Sequence, residues 1–300
     1  MKAFNKRALV CLGVSLMIML AAVILTLCGR GVNLGIDFAG GLSVKYNMGQ
    51  PVVKEEVQAA LDSLKVNGTL TLMGDSRQEV QLRIPEISDE GVQAFRAQLE
   101  EKLLPAYPLM DTDNASVSYV GPVAGATLVK NAFMSVIIAA VLMLIYIAVR
   151  FDFASGLAAV CGLIHDVLVM LSFMVILRDL IQMNSSFIAA MLTIVGYSIN
   201  NTIVIFDRIR ENARRHTGSL TRQQIVQKSV KESLGRTVFT TLTTLITITA
   251  LYILGVASIK EFALPIMIGI LAGVYSANMI NGYIWAALED WRKTRKVKKA

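Results

Sequence analysis

Charge is scarce in this chain of 300 residues: Asp, Glu, Lys and Arg together make 17%, against 54% hydrophobic residues, and the mean hydropathy is +0.57. A soluble domain of this length rarely balances so little charge against so much apolar surface, so the composition points to an integral membrane protein. Histidine occurs twice and cysteine three times. Cys11, Cys28 and Cys161 all fall in apolar runs, which excludes a disulfide framework and gives no metal-ligand spacing. Phosphate-cradling loops are also missing: the Gly-rich stretch at 35–41 has no lysine and no following helix, and therefore does not read as nucleotide-binding.

What is present is long apolar runs, each near the length of about 20 residues that crosses a bilayer as a helix. Six occur: Ala8–Cys28, Val129–Val149, Phe153–Leu177, Phe187–Phe206, Val238–Ala257 and Phe262–Leu288. The first follows Lys2, Lys6 and Arg7 in the manner of a signal peptide. It is too long for a signal core and lacks a small-x-small cleavage site. Leu27 stands before Cys28 where a lipoprotein site would have a small residue, so the run reads as an uncleaved anchor.

The net charge of +7 is unevenly placed. Residues 29–128 carry 8 Lys/Arg and 13 Asp/Glu, the loop 207–237 carries 8 and 3, and the tail 289–300 carries 6 and 2. Basic loops stay on the cytoplasmic side. Six spans with both termini inside put both basic segments in the cytoplasm and the acidic region 29–128 outside. The tail WRKTRKVKK then reads as a topology and lipid-headgroup anchor, not as a nucleic-acid arm. The predicted organisation is a cytoplasmic N-terminus and first span over 1–28, an outer domain over 29–128, a bundle of five spans over 129–288 and the tail over 289–300.

Within the outer region, GLSVKYNM (Gly41–Met48), TLTLM (Thr69–Met73), EVQLRI (Glu79–Ile84) and ASVSYV (Ala115–Val120) read as strands, with a turn at Gly74-Asp75-Ser76. VKEEVQAALDSL (Val53–Leu64) and SDEGVQAFRAQLEEKLL (Ser88–Leu104) have helical spacing, the second behind an N-cap serine and an acidic first turn. The order βαββαβ fits a ferredoxin-like α+β domain. The predicted fold is therefore an α-helical polytopic membrane protein of six transmembrane helices, with an extracytoplasmic ferredoxin-like domain between helices 1 and 2. Gly35, Asp37, Gly40 and Gly41 in GIDFAGG form an elbow where the chain passes from membrane to sheet: a flexible tether, or a close-packed corner fixed by Asp37 bonding neighbouring amides. VGPVAG (Val120–Gly125) is a matching elbow at re-entry.

Polar side chains within the spans are the functional candidates, because ionisable groups at bilayer depth are costly. The third span carries His165 and Asp166 near its middle; an Asp there is either protonated or partnered, and such a carboxylate is suited to carrying protons. The structural alternative is an Asp bonded to hydroxyl or backbone groups of a neighbouring helix. The fourth carries Tyr197, Ser198, Asn200 and Asn201 and ends at a charged edge containing Asp207 and Arg208. Asparagines at this depth also serve simply to bond helices together. The fifth opens at Arg236, and Thr237, Thr240, Thr241, Thr244 and Thr247 fall near one helical face, a polar seam. In the sixth, Gly269, Gly273 and Ala277 have the spacing of close helix packing, with Asn278 and Asn281 beyond them. No nucleophile–base triad or zinc triplet occurs among these residues, which argues against an intramembrane enzyme, and no cofactor is expected. A transport subunit, or an exporter of lipid or small molecules, fits better.

GIDFAGG, HDV (His165–Val167), GYSINNTIVIFDRIREN (Gly196–Asn212) and LGRT (Leu234–Thr237), in this order around an outer domain of this size, resemble the SecF branch of the SecD/SecF family in the RND superfamily. The resemblance covers nearly the whole chain. It implies a non-enzymatic membrane subunit that pairs with SecD, associates with the SecYEG channel and YajC, and uses the proton motive force to draw translocating preproteins outward. The force is worth about 2.3 kcal/mol per charge per 100 mV. One position departs from the pattern: where the family typically has an Asp paired with an Arg like Arg236, this chain has Asn201, an amide that cannot titrate. Carriage then falls to Asp166, to the partner, or to another ion.

Overall fold

The structure is a computed structural model that describes residues 6–66, 68–73, 78–85, 87, 91–178 and 181–297. The turn at Gly74-Asp75-Ser76 and the capping Ser88 with its acidic neighbours lie outside the described residues. The chain divides into two compact units, one of Leu34–Met134 with the segment Gln182–Ser185, the other of the remaining helical segments.

In the first unit a short helix α2 (Ile36–Ala39) leads into β1 (Gly41–Asn47). Then follow α3 (Lys54–Ser63), β2 (Thr69–Met73), β3 (Glu79–Ile84), α4 (Gly91–Leu103) and β4 (Asp111–Val120). The strands form one antiparallel sheet in the order β2-β3-β1-β4, the topology of a split βαβ unit. Register follows the apolar alternation: Leu42, Val44 and Tyr46 of β1 stand opposite Ile84, Leu82 and Val80 of β3, all fully buried. Val57 and Leu61 of α3 and Phe95, Leu99 and Leu103 of α4 close this core. The Tyr46 hydroxyl donates to Glu100 at 2.9 Å, and burial together with that carboxylate pushes the phenol well above its ordinary range. β4 is longer than its apolar alternation suggests and begins at Asp111.

The second unit is helical. α1 (Lys6–Leu27), α5 (Pro122–Arg150, from its middle onward), α6 (Phe153–Ile176), α7 (Ser185–Arg215), α8 (Arg222–Leu254), α9 (Ala257–Ser276) and α10 (Gly282–Val297) contain six segments long and apolar enough to cross a membrane. Between α9 and α10 the wider π-helical turn Ala277–Asn281 keeps the last span continuous. Several starts are chemically marked. Asp152 caps α6 by accepting from Ala154 N and Ser155 N, and Thr221 with Gln224 forms a reciprocal capping box at the start of α8. Pro122 opens α5, where its missing N–H costs nothing, so VGPVAG is largely the first turn of a helix and not a free elbow. The apolar segment of α5 is almost wholly uncovered, whereas those of α6, α7 and the last span are about half buried. The residues read as a basic loop at 207–237 are mostly helical, leaving a short turn at 216–221 between α7 and α8.

Candidate functional site

Asp166 lies at the centre of the helical unit with no solvent exposure. Its Oδ2 accepts hydrogen bonds from Ser198 Oγ of α7 and from Ser276 Oγ of α9 at 2.9 Å, and its Oδ1 lies 2.9 Å from His165 Nδ1. Three helices thus converge on one carboxylate, which answers the desolvation that an isolated acid would suffer. The His165 ring stacks on Tyr275 with centroids 6.2 Å apart, and the Tyr275 hydroxyl bonds to the Cys11 carbonyl of α1.

Glycines bring the helices close enough for these bonds. A Cβ on Gly273 would lie 3.2 Å from Ser198, and one on Gly269 would lie 2.2 Å from Ile194. The same spacing of four on both helices sets a ladder of close α7–α9 contact. Gly162 of α6 makes room for Asn281, whose side chain fills the space where a Cβ would stand. Asn281 Nδ2 donates to Thr202 Oγ1 at 3.0 Å, while its Oδ1, Asn201 Nδ2 and His165 Nε2 are buried with no protein partner. Asn281 closes the π-helical turn Ala277–Asn281, and such turns are frequent at functional sites.

The sequence-selected residues do not gather into one site. Asn201 is buried, but Asn200, one residue and about 100° away, faces outward. Thr237 and Thr241 are buried and Thr244 half-buried. Tyr197 donates to Thr241 at 3.3 Å, and Thr237 to Asn278 at 3.4 Å. Thr240 and Thr247 are exposed, and Thr240 bonds back to the Arg236 carbonyl at 2.7 Å, so the threonine seam is narrower than the helical projection implies. Arg236 is itself exposed. Asp207 pairs with Arg150 at 3.3 Å and Arg210 at 3.4 Å, and Arg208 joins Glu211 to Glu232, tying the end of α7 to the start of α8. The elbow belongs to the other unit. There Asp37 Oδ2 accepts from Ser185 N at 2.8 Å, an amide 148 residues away and not a neighbouring one, while Gly40 and Gly41 take φ of 75° and 106°. Gly35 N donates to Met183 O at 2.8 Å.

Sequence reasoning missed Ser276, Tyr275 and Thr202. The available signal was Gly273-x-x-Ser276, a hydroxyl one turn beyond a small residue on a face built for close approach.

Residues 100–291 match the family model described as "Protein export membrane protein SecD/SecF, C-terminal", and residues 26–52 match the "SecD/SecF GG Motif". A protein translocase subunit SecF from Thermodesulfovibrio yellowstonii is 36% identical over 247 residues, covering 82% of this chain and 80% of that protein. Its counterpart from Acidaminococcus fermentans is 33% identical over 287 residues, covering 95% and 97%. Among solved structures, SecDF from Thermus thermophilus, described as a translocon-associated membrane protein, superposes with a TM-score of 0.82 at 32% identity. That match covers 94% of this chain but 38% of the SecDF chain.

Proposed function

The chain belongs to the SecD/SecF family of protein export membrane proteins, and from that premise we propose that it is the SecF-type half of an ion-driven export complex, completed by a SecD partner. Embedded in the bacterial plasma membrane with both termini in the cytoplasm, this complex works beside SecYEG and YajC and promotes release of preproteins at the outer face. The excess of basic residues in 207–237 and 289–300, against the acidic 29–128, supports that orientation.

One observation supports ion coupling through Asp166. Ser276 Oγ has two acceptors within reach, Asp166 Oδ2 at 2.9 Å and the Gly273 carbonyl at 3.2 Å. With Asp166 ionised, both serines and His165 donate to it. When a proton arrives, Ser276 turns its own hydrogen to Gly273 and accepts from the carboxylic acid. The Asp166 carboxyl itself is thus satisfied in both states, which a carrier needs and a purely structural carboxylate does not. Transfer of charge between those states alters how tightly α6, α7 and α9 are held, and this is the event that biases the outer domain.

Purification from native membranes is expected to recover a second six-span subunit with a larger outer domain. Repeated recovery of this chain alone, or only as a homodimer, counts against the reading. A substitution addresses the ion. Asn201→Asp is expected to leave the ion preference unchanged, because Asp166 already supplies the carboxylate. Export that responds to a different gradient from the parent, proton in place of sodium or the reverse, would move the coupling group to position 201.

A further inference from the structure

The arginine-rich end of the helical unit contains a cavity of about 340 Å³ that the coupling reading leaves unused, formed by the start of α6, the last turns of α7, the start of α8 and α10. Arg210, Arg214, Arg222 and Arg292 line it with two carboxylates, Asp152 and Glu289. Both acids are already engaged. Asp152 caps α6 and accepts from Ser155 Oγ at 2.7 Å, while Glu289 lies between Arg222 at 3.3 Å and Arg292 at 3.1 Å. Arg222 is held by its stack over the Trp285 ring, 5.5 Å from the centroid. Arg214 is exposed and forms no ion pair among the described residues, and with Arg210 it also lines an adjoining recess of about 480 Å³.

Arg210 is also paired, with Asp207 at 3.4 Å, so the excess of four lining arginines over two acids is carried chiefly by Arg214. That excess favours an anion, and the planar forks of arginine suit phosphate oxygens in particular. The surroundings indicate where that phosphate comes from. Phe153, directly after Asp152, is 73% exposed, and Leu157 one turn on is exposed as well, so the apolar outer face of a helix that crosses the membrane begins within one residue of the cavity, around the helix from Ser155. Basic pockets between transmembrane helices, with lipid alongside, take anionic headgroups.

We propose that this cavity holds the phosphodiester headgroup of one anionic phospholipid, whose acyl chains pass round the start of α6 to its exposed face at Phe153 and Leu157. Such a site requires only that the helices span a bilayer and is independent of the role of Asp166. Such a lipid would brace α6, α7, α8 and α10 against each other at the ends where the charged clamps lie.

The test is native mass spectrometry of the full chain in a mild non-ionic detergent, titrated separately with phosphatidylglycerol, phosphatidylcholine, glycerol phosphate and inorganic phosphate. One phosphatidylglycerol is expected to be retained at concentrations about tenfold below those needed for phosphatidylcholine. Arg214→Gln with Arg292→Gln should remove most of that preference, whereas Lys130→Gln with Lys231→Gln, the same charge loss at exposed positions elsewhere, should leave it. Arg214→Lys with Arg292→Lys guards against misfolding and should keep part of it. Phe153→Ser with Leu157→Ser should weaken lipid retention alone. Equal retention of the two lipids, or an equal loss in the lysine pair, overturns the site. Displacement of the lipid by equimolar glycerol phosphate or inorganic phosphate would reassign it to a free anion and overturns the lipid.

Discussion

Asp166→Asn is expected to abolish the gradient-dependent part of export while the protein still folds and assembles. The substitution keeps the shape of the side chain and removes only its ability to gain and lose a proton or hold a cation by charge. An Asn oxygen placed at the Oδ2 position still accepts from Ser198 and Ser276, and the amide nitrogen then meets His165 Nδ1, whose ring can present an acceptor there by changing tautomer. The loss in stability is therefore that of exchanging charge-assisted bonds for neutral ones, about 1–2 kcal/mol. The measurement is export into sealed inverted vesicles, with and without an imposed gradient, at matched amounts of assembled complex. The parent should respond to the gradient and the variant should not. An unchanged response would take Asp166 out of the coupling path and leave it as a bonded strut between α6, α7 and α9. A companion substitution, Ser276→Ala, removes the hydroxyl that alternates between Asp166 and the Gly273 carbonyl. It is expected to reduce the gradient response in part, since Ser198 still serves the carboxylate.

How much of this was legible in the sequence depends on what kind of information each feature carries. The α+β domain was readable because alternation at Gly41–Met48 and Glu79–Ile84 fixes which side chains face inward, and the same side chains then set the register of β1 on β3. The six spans were readable from apolar length alone, although α7 and α8 run on well past the apolar runs, because charged and amide side chains continue a helix as readily as apolar ones once they have partners. Asp166 stood out as an acid in an apolar run, but its partners did not. Helical periodicity tells which residues of one helix share a face and is silent on which helix that face meets. Ser198 and Ser276 are 78 residues apart and are brought together by the close approach at Gly273. The same limit explains the threonines. Thr240 lies only about 60° from Thr237 on a helical projection, yet the buried arc of α8 is narrow enough to exclude it. The π-helical turn at Ala277–Asn281 has no local sequence signature and could only be seen in three dimensions.

The elbow supports a prediction of comparable size in the other unit. Gly41→Ala is expected to unfold or loosen the α+β domain. Two separate obstacles meet at this residue. Its φ of 106° lies where side chains other than glycine are strained, at about 1–3 kcal/mol. A Cβ there would also stand 2.3 Å from the Ile84 carbonyl oxygen and 2.8 Å from Pro85 Cα, so backbone has to move, at about a further 1–3 kcal/mol. Gly41 opens the central strand, pairing with Val120 of β4 on one side while Leu42 beside it pairs with Ile84 on the other. A shift there is felt on both sides of β1. Against a total stability of about 5–15 kcal/mol for a small domain, the sum is a large fraction. Gly31→Ala makes the control, because Gly31 has no positive φ and its nearest Cβ neighbour would be Thr26 at 3.7 Å. Limited proteolysis of the full chain in detergent should cut Gly41→Ala rapidly between residues 41 and 120 and leave Gly31→Ala at the parental rate. Equal rates for all three proteins would mean that β1 tolerates a side chain at its first residue. The elbow glycines would then serve the motion of the tether and not the packing of the sheet.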